Sequence, residues 1–223
     1  MAKLETQIIF FLLFLLNLSF VNAQTITESV PEKVDRSRKY LIYLHGGIVQ
    51  DLGAEAVSED LGKYEYYKIL EVFKERGFNV ISEVRPKGTE ITSYAEKLSD
   101  QIKALKKLGV KDKNIVVVGA SLGAYMTIEA ADKLKLPKVK YVLIGLCSEY
   151  AVNRYKQYKG NLLGNFLSIY EESDQKGSCQ KIFEPLKRKA KFKEIKVSTG
   201  KGHGFLFKPA KEWVQPLVEW IGK

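Results

Sequence analysis

The sequence is poor in cysteine and histidine, with two of each among 223 residues. Two cysteines are too few for a disulfide scaffold or a four-cysteine zinc site, and two histidines match no zinc motif. We therefore expect neither a metal nor another cofactor. Hydrophobic residues make up 45% and charged residues 28% of the chain. These fractions exclude a disordered, a collagen-like and a multi-span membrane protein.

A motif for nucleic-acid binding is also lacking, although the chain carries a net charge of +10. The densest basic cluster consists of Lys187, Arg188, Lys189, Lys191 and Lys193. No zinc finger or aromatic RNA-binding motif accompanies it. We interpret the cluster as a solvated helix end and expect no nucleic-acid partner. The positive charge could instead attract anionic surfaces or substrates over long distances.

The apolar run Ile8–Leu16 near the start of the chain is shorter than the ~20 residues that a bilayer span needs. Lys3 precedes the run, and a plausible cleavage site ends at Ala23, which is typical of a secretory signal peptide. We expect residues 1–23 to be removed, without stable membrane insertion afterwards. The mature chain, a single domain over residues 24–223, would then be secreted or periplasmic. Because the segment before the apolar run carries little net positive charge, the alternative is an uncleaved membrane anchor.

The rest of the chain alternates predicted strands and helices. The strands are Lys39–Leu44, Phe78–Val84, Asn114–Val118, Val139–Leu146, Phe166–Tyr170 and Phe192–Val197. The helices are Tyr64–Arg76, Tyr94–Leu108, Ala124–Leu134, Ser178–Lys189 and Pro209–Ile221, the last kinked or restarted at Pro216. A long loop, His45–Lys63, follows the first strand. This alternation predicts an α/β fold with a parallel sheet of about six strands and helices on both faces.

A G-x-S-x-G motif, Gly119–Gly123, joins a predicted strand to a predicted helix. That context places a serine hydroxyl above the sheet, at a helix N-terminus that favours developing negative charge. Ser121 is therefore the candidate nucleophile. The alternative is a tight strand–helix turn without chemistry.

A serine nucleophile needs a base, and the sequence offers only His45 and His203. His203 lies in the glycine-rich loop Gly200–Phe205, directly after the last predicted strand, and is the candidate base. The alternative is that His203 is a solvated loop residue without a catalytic role. His45 is expected to be structural.

The base needs an acid that holds its tautomer. Asp174 is our choice because it lies in the turn beyond the strand Phe166–Tyr170. Glu171 and Glu172 are the alternatives, and they are closer to the strand and expected to be solvated.

The segment His45-Gly46-Gly47 ends the first core strand, where a glycine turn can direct a backbone N–H at the oxygen of a scissile carbonyl. We expect the region of Gly47 to supply one donor of an oxyanion hole. The N–H of Leu122, directly after the candidate nucleophile, would supply the second.

With the chain order Ser121, Asp174, His203, the sequence resembles the α/β-hydrolase superfamily over nearly all of its mature length. The resemblance implies the α/β-hydrolase fold, with its strands in the order 4-3-5-6-7-8 by the family's numbering. It implies the same roles for the three residues, and an oxyanion hole at Gly47 and Leu122. The usual first strands would be shortened or missing. The short link Leu146–Gly164 leaves no room for a cap domain.

We expect a site that is open, or covered only by the loops Ile48–Gly62 and Ser148–Asn161. Such a site favours soluble esters or acylated glycans over triglycerides. The leading hypothesis is therefore a carboxylesterase-like serine hydrolase. The alternatives are a serine peptidase or acyltransferase with the same triad, and a catalytically silent binding protein. Arg85 follows a strand, and either binds a substrate carboxylate or forms a surface salt bridge, for instance with Glu83.

The two cysteines, Cys147 and Cys179, are expected near one edge of the sheet, beside the loop of Asp174. In an oxidising compartment they could form a disulfide. The alternative is that Cys147 is a small buried apolar residue.

Overall fold

The computed structural model describes residues 24–156, 162–186 and 190–222. The expected signal peptide, residues 1–23, lies outside them. Seven strands form a parallel sheet. They are β1 Ile26–Thr27, β2 Lys39–Leu44, β5 Phe78–Ile81, β6 Ile115–Ala120, β7 Lys140–Ile144, β8 Gly164–Glu171 and β9 Ala190–Val197. Their order across the sheet is β1-β5-β2-β6-β7-β8-β9. From β5 to β9 this order is the one that the resemblance implied. Strand β1 adds a two-residue strand at the edge of the sheet.

Helices cover both faces of this sheet. They are α1 Gly47–Leu52, α2 Tyr66–Glu75, α3 Ile91–Lys107, α4 Leu122–Leu134, α5 Glu149–Tyr155, α6 Gln180–Phe183 and α7 Lys211–Gly222. Helices α3 and α4 pack on one face, and α2 and α7 on the other. All six residues of the central strand β6 are buried. A strand covered on both faces needs apolar residues throughout, which explains the near-continuous valine run.

Three predicted elements differ from the structure. The expected loop after β2 contains helix α1 and a small antiparallel hairpin of β3 Val57–Ser58 and β4 Gly62–Lys63. The loop expected after Leu146 contains α5. The helix expected over Ser178–Lys189 is only the short α6 followed by a 3₁₀ turn, Glu184–Leu186, and residues 187–189 lie outside the described part. Short segments of this kind lack the repeated periodicity that makes a pattern informative.

Two further expectations concern Pro216 and the basic cluster. Helix α7 continues through Pro216 as one element. Buried Trp213, Leu217 and Ile221 anchor it, and their burial offsets the hydrogen bond that proline cannot donate. Of the basic cluster, Lys191 and Lys193 are exposed residues of strand β9, not of a helix end.

A disulfide joins Cys147 and Cys179, whose Cα atoms are 5.2 Å apart. In the described residues no cap domain covers the carboxyl edge of the sheet. None of the helices described is both long and apolar enough to span a membrane. Nor does the described part of the chain bring three metal-binding acidic, histidine or cysteine side chains together.

Candidate active site

The tight turn between β6 and α4 presents Ser121 at the carboxyl edge of the sheet. Its backbone adopts φ +50° and ψ −114°, a conformation that L-residues rarely adopt. The flanking glycines make the turn possible. A Cβ on Gly123 would lie 2.2 Å from the carbonyl oxygen of Leu44, and one on Gly119 would lie 2.4 Å from Thr127 Oγ1. Neither position can hold a side chain.

A hydrogen-bonded chain connects Ser121, His203 and Asp174. His203 Nε2 lies 2.8 Å from Ser121 Oγ, and His203 Nδ1 lies 2.6 Å from Asp174 Oδ2. A carboxylate can only accept, so Nδ1 carries the proton and Nε2 accepts from the serine hydroxyl. The side chain of Asp174 is 4% exposed, against 25% for His203. The three residues that the sequence singled out are therefore together, with the imidazole between serine and carboxylate.

Glu171 is not solvated, contrary to our expectation, because it is 1% exposed. One carboxylate oxygen accepts the backbone N–H groups of Thr199 and Gly200, and the other accepts the N–H and hydroxyl of Ser173. Burial raises the pKa of Glu171, but these hydrogen bonds outweigh it and hold the pKa at about 2. Glu171 thus ties the loop of Asp174 to the loop of His203 without touching the imidazole.

Glu172, the other alternative to Asp174, points away from the site. It is exposed and pairs with Lys196, and its second oxygen accepts from Ser198. As expected, this carboxylate is solvated.

The glycine turn after β2 approaches the serine closely. A Cβ on Gly46 would lie 3.6 Å from Ser121 Cβ, and one on Gly47 would lie 3.7 Å from Leu122 Cδ2. Gly47 and Leu122 are the first residues of α1 and α4, and N–H groups at this position have no partner within their own helix. Both predicted donors are thus helix-terminal N–H groups on residues close to Ser121, and their role in an oxyanion hole stays a prediction.

Arg85 is buried, which contradicts both the surface salt bridge and the contact with a substrate carboxylate that the sequence suggested. The side chain is 1% exposed. Its guanidinium donates to Gln50 Oε1 and to the carbonyl oxygen of His45, and lies 5.3 Å from the ring centroid of Tyr94. Periodicity gave no sign of this, because the groups around Arg85 come from distant segments of the chain.

His45 is structural, as expected. Its Nε2 accepts the backbone N–H of Arg85 and its Nδ1 donates to the carbonyl oxygen of Gly46. Burial, together with the nearby Arg85 charge, lowers the pKa of His45 to about 3. A neutral imidazole thus fixes the turn that leads to Gly47.

Sequence reasoning missed Lys176, which reaches the candidate nucleophile. Its Nζ lies 3.0 Å from Ser121 Oγ, and its backbone N–H donates to Asp174 Oδ1. The only signal in the sequence was that Lys176 lies two residues after Asp174, and this spacing does not determine where the lysine side chain points.

The disulfide holds the loop that carries Asp174 and Lys176. Cys147, just beyond β7, forms an antiparallel bridge with Gly177 as well as the disulfide with Cys179. Because the disulfide and the bridge both lie within five residues of Asp174, the covalent link restrains the acid loop.

Solved structures of low sequence identity share this architecture. Among them is a 2,6-dihydroxy-pseudo-oxynicotine hydrolase, with a TM-score of 0.56 and 13% identity, covering 86% of this chain and 62% of that one. A proline iminopeptidase from Mycobacterium smegmatis gives a TM-score of 0.56 at 12% identity, covering 87% of this chain and 92% of that one. The chain has the α/β-hydrolase fold.

A thioesterase domain from a curacin biosynthetic pathway shares the α/β-hydrolase fold too, with a TM-score of 0.51 and 12% identity, covering 85% of this chain and 92% of that one. No protein-family model and no curated protein sequence matches the chain. The three neighbours carry hydrolase, peptidase and thioesterase names. The fold therefore leaves the reaction to be argued from the site.

Proposed function

We propose that this protein is a serine hydrolase that cleaves carboxylic esters through an acyl-enzyme on Ser121. The observation that carries the proposal is the hydrogen-bonded chain from Ser121 through His203 to Asp174, with links of 2.8 and 2.6 Å. Such a chain supplies a nucleophile, a base and a group that orients the base.

In the first step, Ser121 Oγ attacks the ester carbonyl carbon while His203 Nε2 takes the hydroxyl proton. Asp174 accepts from Nδ1–H and stabilises the imidazolium that forms. The carbonyl oxygen becomes an oxyanion between the backbone N–H groups of Gly47 and Leu122. The intermediate then collapses. His203 returns the proton to the leaving alcohol oxygen, and the acyl group stays on Ser121.

In the second step, water attacks the acyl-enzyme. His203 takes a proton from that water and returns it to Ser121 Oγ as the acid product leaves, so protons and bonds balance over the cycle. The uncapped edge of the sheet favours soluble esters or acylated glycans over long-chain lipids. We further propose that the protein is exported and acts after residues 1–23 are removed.

The test is a fluorophosphonate probe together with short p-nitrophenyl esters. We expect the probe to label wild type at Ser121, and expect Ser121→Ala and His203→Ala to lose labelling and nearly all turnover. Labelling that survives His203→Ala would exclude this triad. Failure of wild type to label would instead favour a silent binding protein.

A peptidase remains the second candidate, since one structural neighbour is named a proline iminopeptidase. Matched p-nitrophenyl esters and p-nitroanilides of the same acyl groups separate the two activities. Faster cleavage of the anilides would replace the ester proposal.

A further inference from the structure

An ammonium group contacts the hydroxyl of the candidate nucleophile. Lys176 Nζ is 3.0 Å from Ser121 Oγ, while His203 Nε2 is 2.8 Å from the same oxygen. Since the hydroxyl proton points to the imidazole, the serine oxygen accepts from the lysine. The mechanism above does not require this cation.

The charge of Lys176 is not neutralised by an ion pair. None of the ion pairs in residues 24–156, 162–186 and 190–222 includes Lys176, and its side chain is half-buried. Burial lowers the pKa of Lys176, and the charge of Asp174 only partly offsets that effect. A half-buried cation that no ion pair neutralises is stabilised by an anionic group that enters the site.

The order of the strands shows where such an anion would lie. Gly47 follows β2, Ser121 follows β6 and Lys176 follows β8, in a sheet with the order β2-β6-β7-β8. Lys176 therefore approaches Ser121 from the side opposite Gly47, which is also the side of His203, because β9 lies beyond β8.

The substituents of the attacked carbon can then be assigned. The oxyanion lies between the N–H groups of Gly47 and Leu122, and the leaving oxygen lies beside His203. The remaining substituent is the acyl chain. In the part of the chain that the structure describes, Lys176 is the side chain besides His203 that is hydrogen-bonded to Ser121 Oγ. The cation thus lies where it can contact the acyl part of a substrate.

We propose that Lys176 is a specificity-determining residue that binds a carboxylate carried by the acyl part of the substrate. The preferred substrates would then be half-esters of short dicarboxylic acids. This inference rests on the proposed ester hydrolysis at Ser121. The contact is rigidly placed, because the disulfide and the Cys147–Gly177 bridge hold the loop. The overall positive charge of the chain would add long-range attraction for such substrates.

The test compares two probes with the same acyl carbon count, p-nitrophenyl hydrogen glutarate and p-nitrophenyl valerate, after subtraction of the enzyme-free rates. The quantity measured is the ratio of kcat/KM for the glutarate to that for the valerate. We expect Lys176→Met to lower this ratio about 10- to 100-fold, the range for a hydrogen bond to a charged group. Lys176→Arg, which keeps the charge, should retain most of the ratio.

The matched control is Lys201→Met, which removes an exposed lysine from the neighbouring loop. It should leave the ratio unchanged. An equal fall of this ratio in Lys201→Met would mean that the preference comes only from the long-range electrostatic field of the protein. That result would overturn the inference. An equal fall in kcat/KM for both probes in Lys176→Met would also overturn the inference, because Lys176 would then act on the serine itself.

Fluorophosphonate labelling separates this inference from the proposed function. Suppose that the probe labels both wild type and Lys176→Met at Ser121, and that the two proteins have the same glutarate-to-valerate ratio of kcat/KM. The specificity assignment then fails while the hydrolase proposal stands. If wild type does not label, the hydrolase proposal fails first.

Discussion

Glu171 accepts the backbone N–H of Thr199 at 2.9 Å, and this contact joins the two loops that complete the candidate active site. Strands β8 and β9 are neighbours, so the loops that follow them leave the sheet side by side. A buried carboxylate between them satisfies N–H groups from both loops. The position of His203 relative to Asp174 thus depends on a third residue outside the proposed triad.

We expect Glu171→Gln to destabilise the protein by about 1–3 kcal/mol, because the new amide NH₂ must face N–H donors that the carboxylate satisfied. Since the pKa of Glu171 lies near 2, below its unfolded value, its contribution to stability is present above about pH 4.5 and is lost as pH falls toward 2. Urea unfolding at pH 7 measures the change. Exposed Glu172→Gln is the control, and equal stability of the two variants would contradict the role of Glu171.

Asp174→Asn should lower kcat by about three to four orders of magnitude with little change in KM or stability, because an amide cannot hold the imidazole tautomer or stabilise its charged form. Steady-state hydrolysis of p-nitrophenyl butyrate gives both constants. Glu172→Gln should retain nearly full activity. If Asp174→Asn keeps more than about a tenth of wild-type kcat, its assignment as the acid is wrong.

His45 predicts a pH dependence of stability. Its folded-state pKa of about 3 lies below the unfolded value of about 6.5, so the unfolded chain binds a proton that the folded chain does not. Stability should therefore fall as pH drops from 6.5 toward 3, with a slope from this residue that approaches about 1.4 kcal/mol per pH unit.

The test is His45→Gln, whose side-chain oxygen can still accept the N–H of Arg85. Urea unfolding at pH 7, 6 and 5 should show a shallower loss of stability than in wild type. His203 is present in both proteins, so the difference in slope reports on His45. Equal slopes would mean that the imidazole of His45 titrates normally in the folded state.

The disulfide should contribute about 3–4 kcal/mol by the chain-entropy argument, since it closes a loop of 32 residues. Cys147→Ser/Cys179→Ser should lose this stability and some turnover, because the loop of Asp174 and Lys176 is released. Thiol counting on denatured, unreduced protein should find no free thiol. Two free thiols in material from an oxidising compartment would show that the bond does not form.

The sequence alone was enough to predict most strands and helices of the core and the residues of the candidate site. Strand Lys39–Leu44 has the predicted bounds, and the G-x-S-x-G turn lies between β6 and α4 as expected. These features follow from local rules: continuous apolar runs for strands buried on both faces, and glycines where a side chain would collide. Chain order then singled out Ser121, Asp174 and His203.

Only the tertiary structure determined the partners of the remaining polar residues. Glu171, Arg85 and Lys176 each lie near a strand end, and the sequence gives no sign of which is buried and which reaches the serine. Their partners come from other loops: Thr199 for Glu171, the His45 carbonyl for Arg85 and Ser121 for Lys176. Such contacts depend on how neighbouring strands place their loops, and no local pattern of hydrophobicity or turn residues encodes that placement.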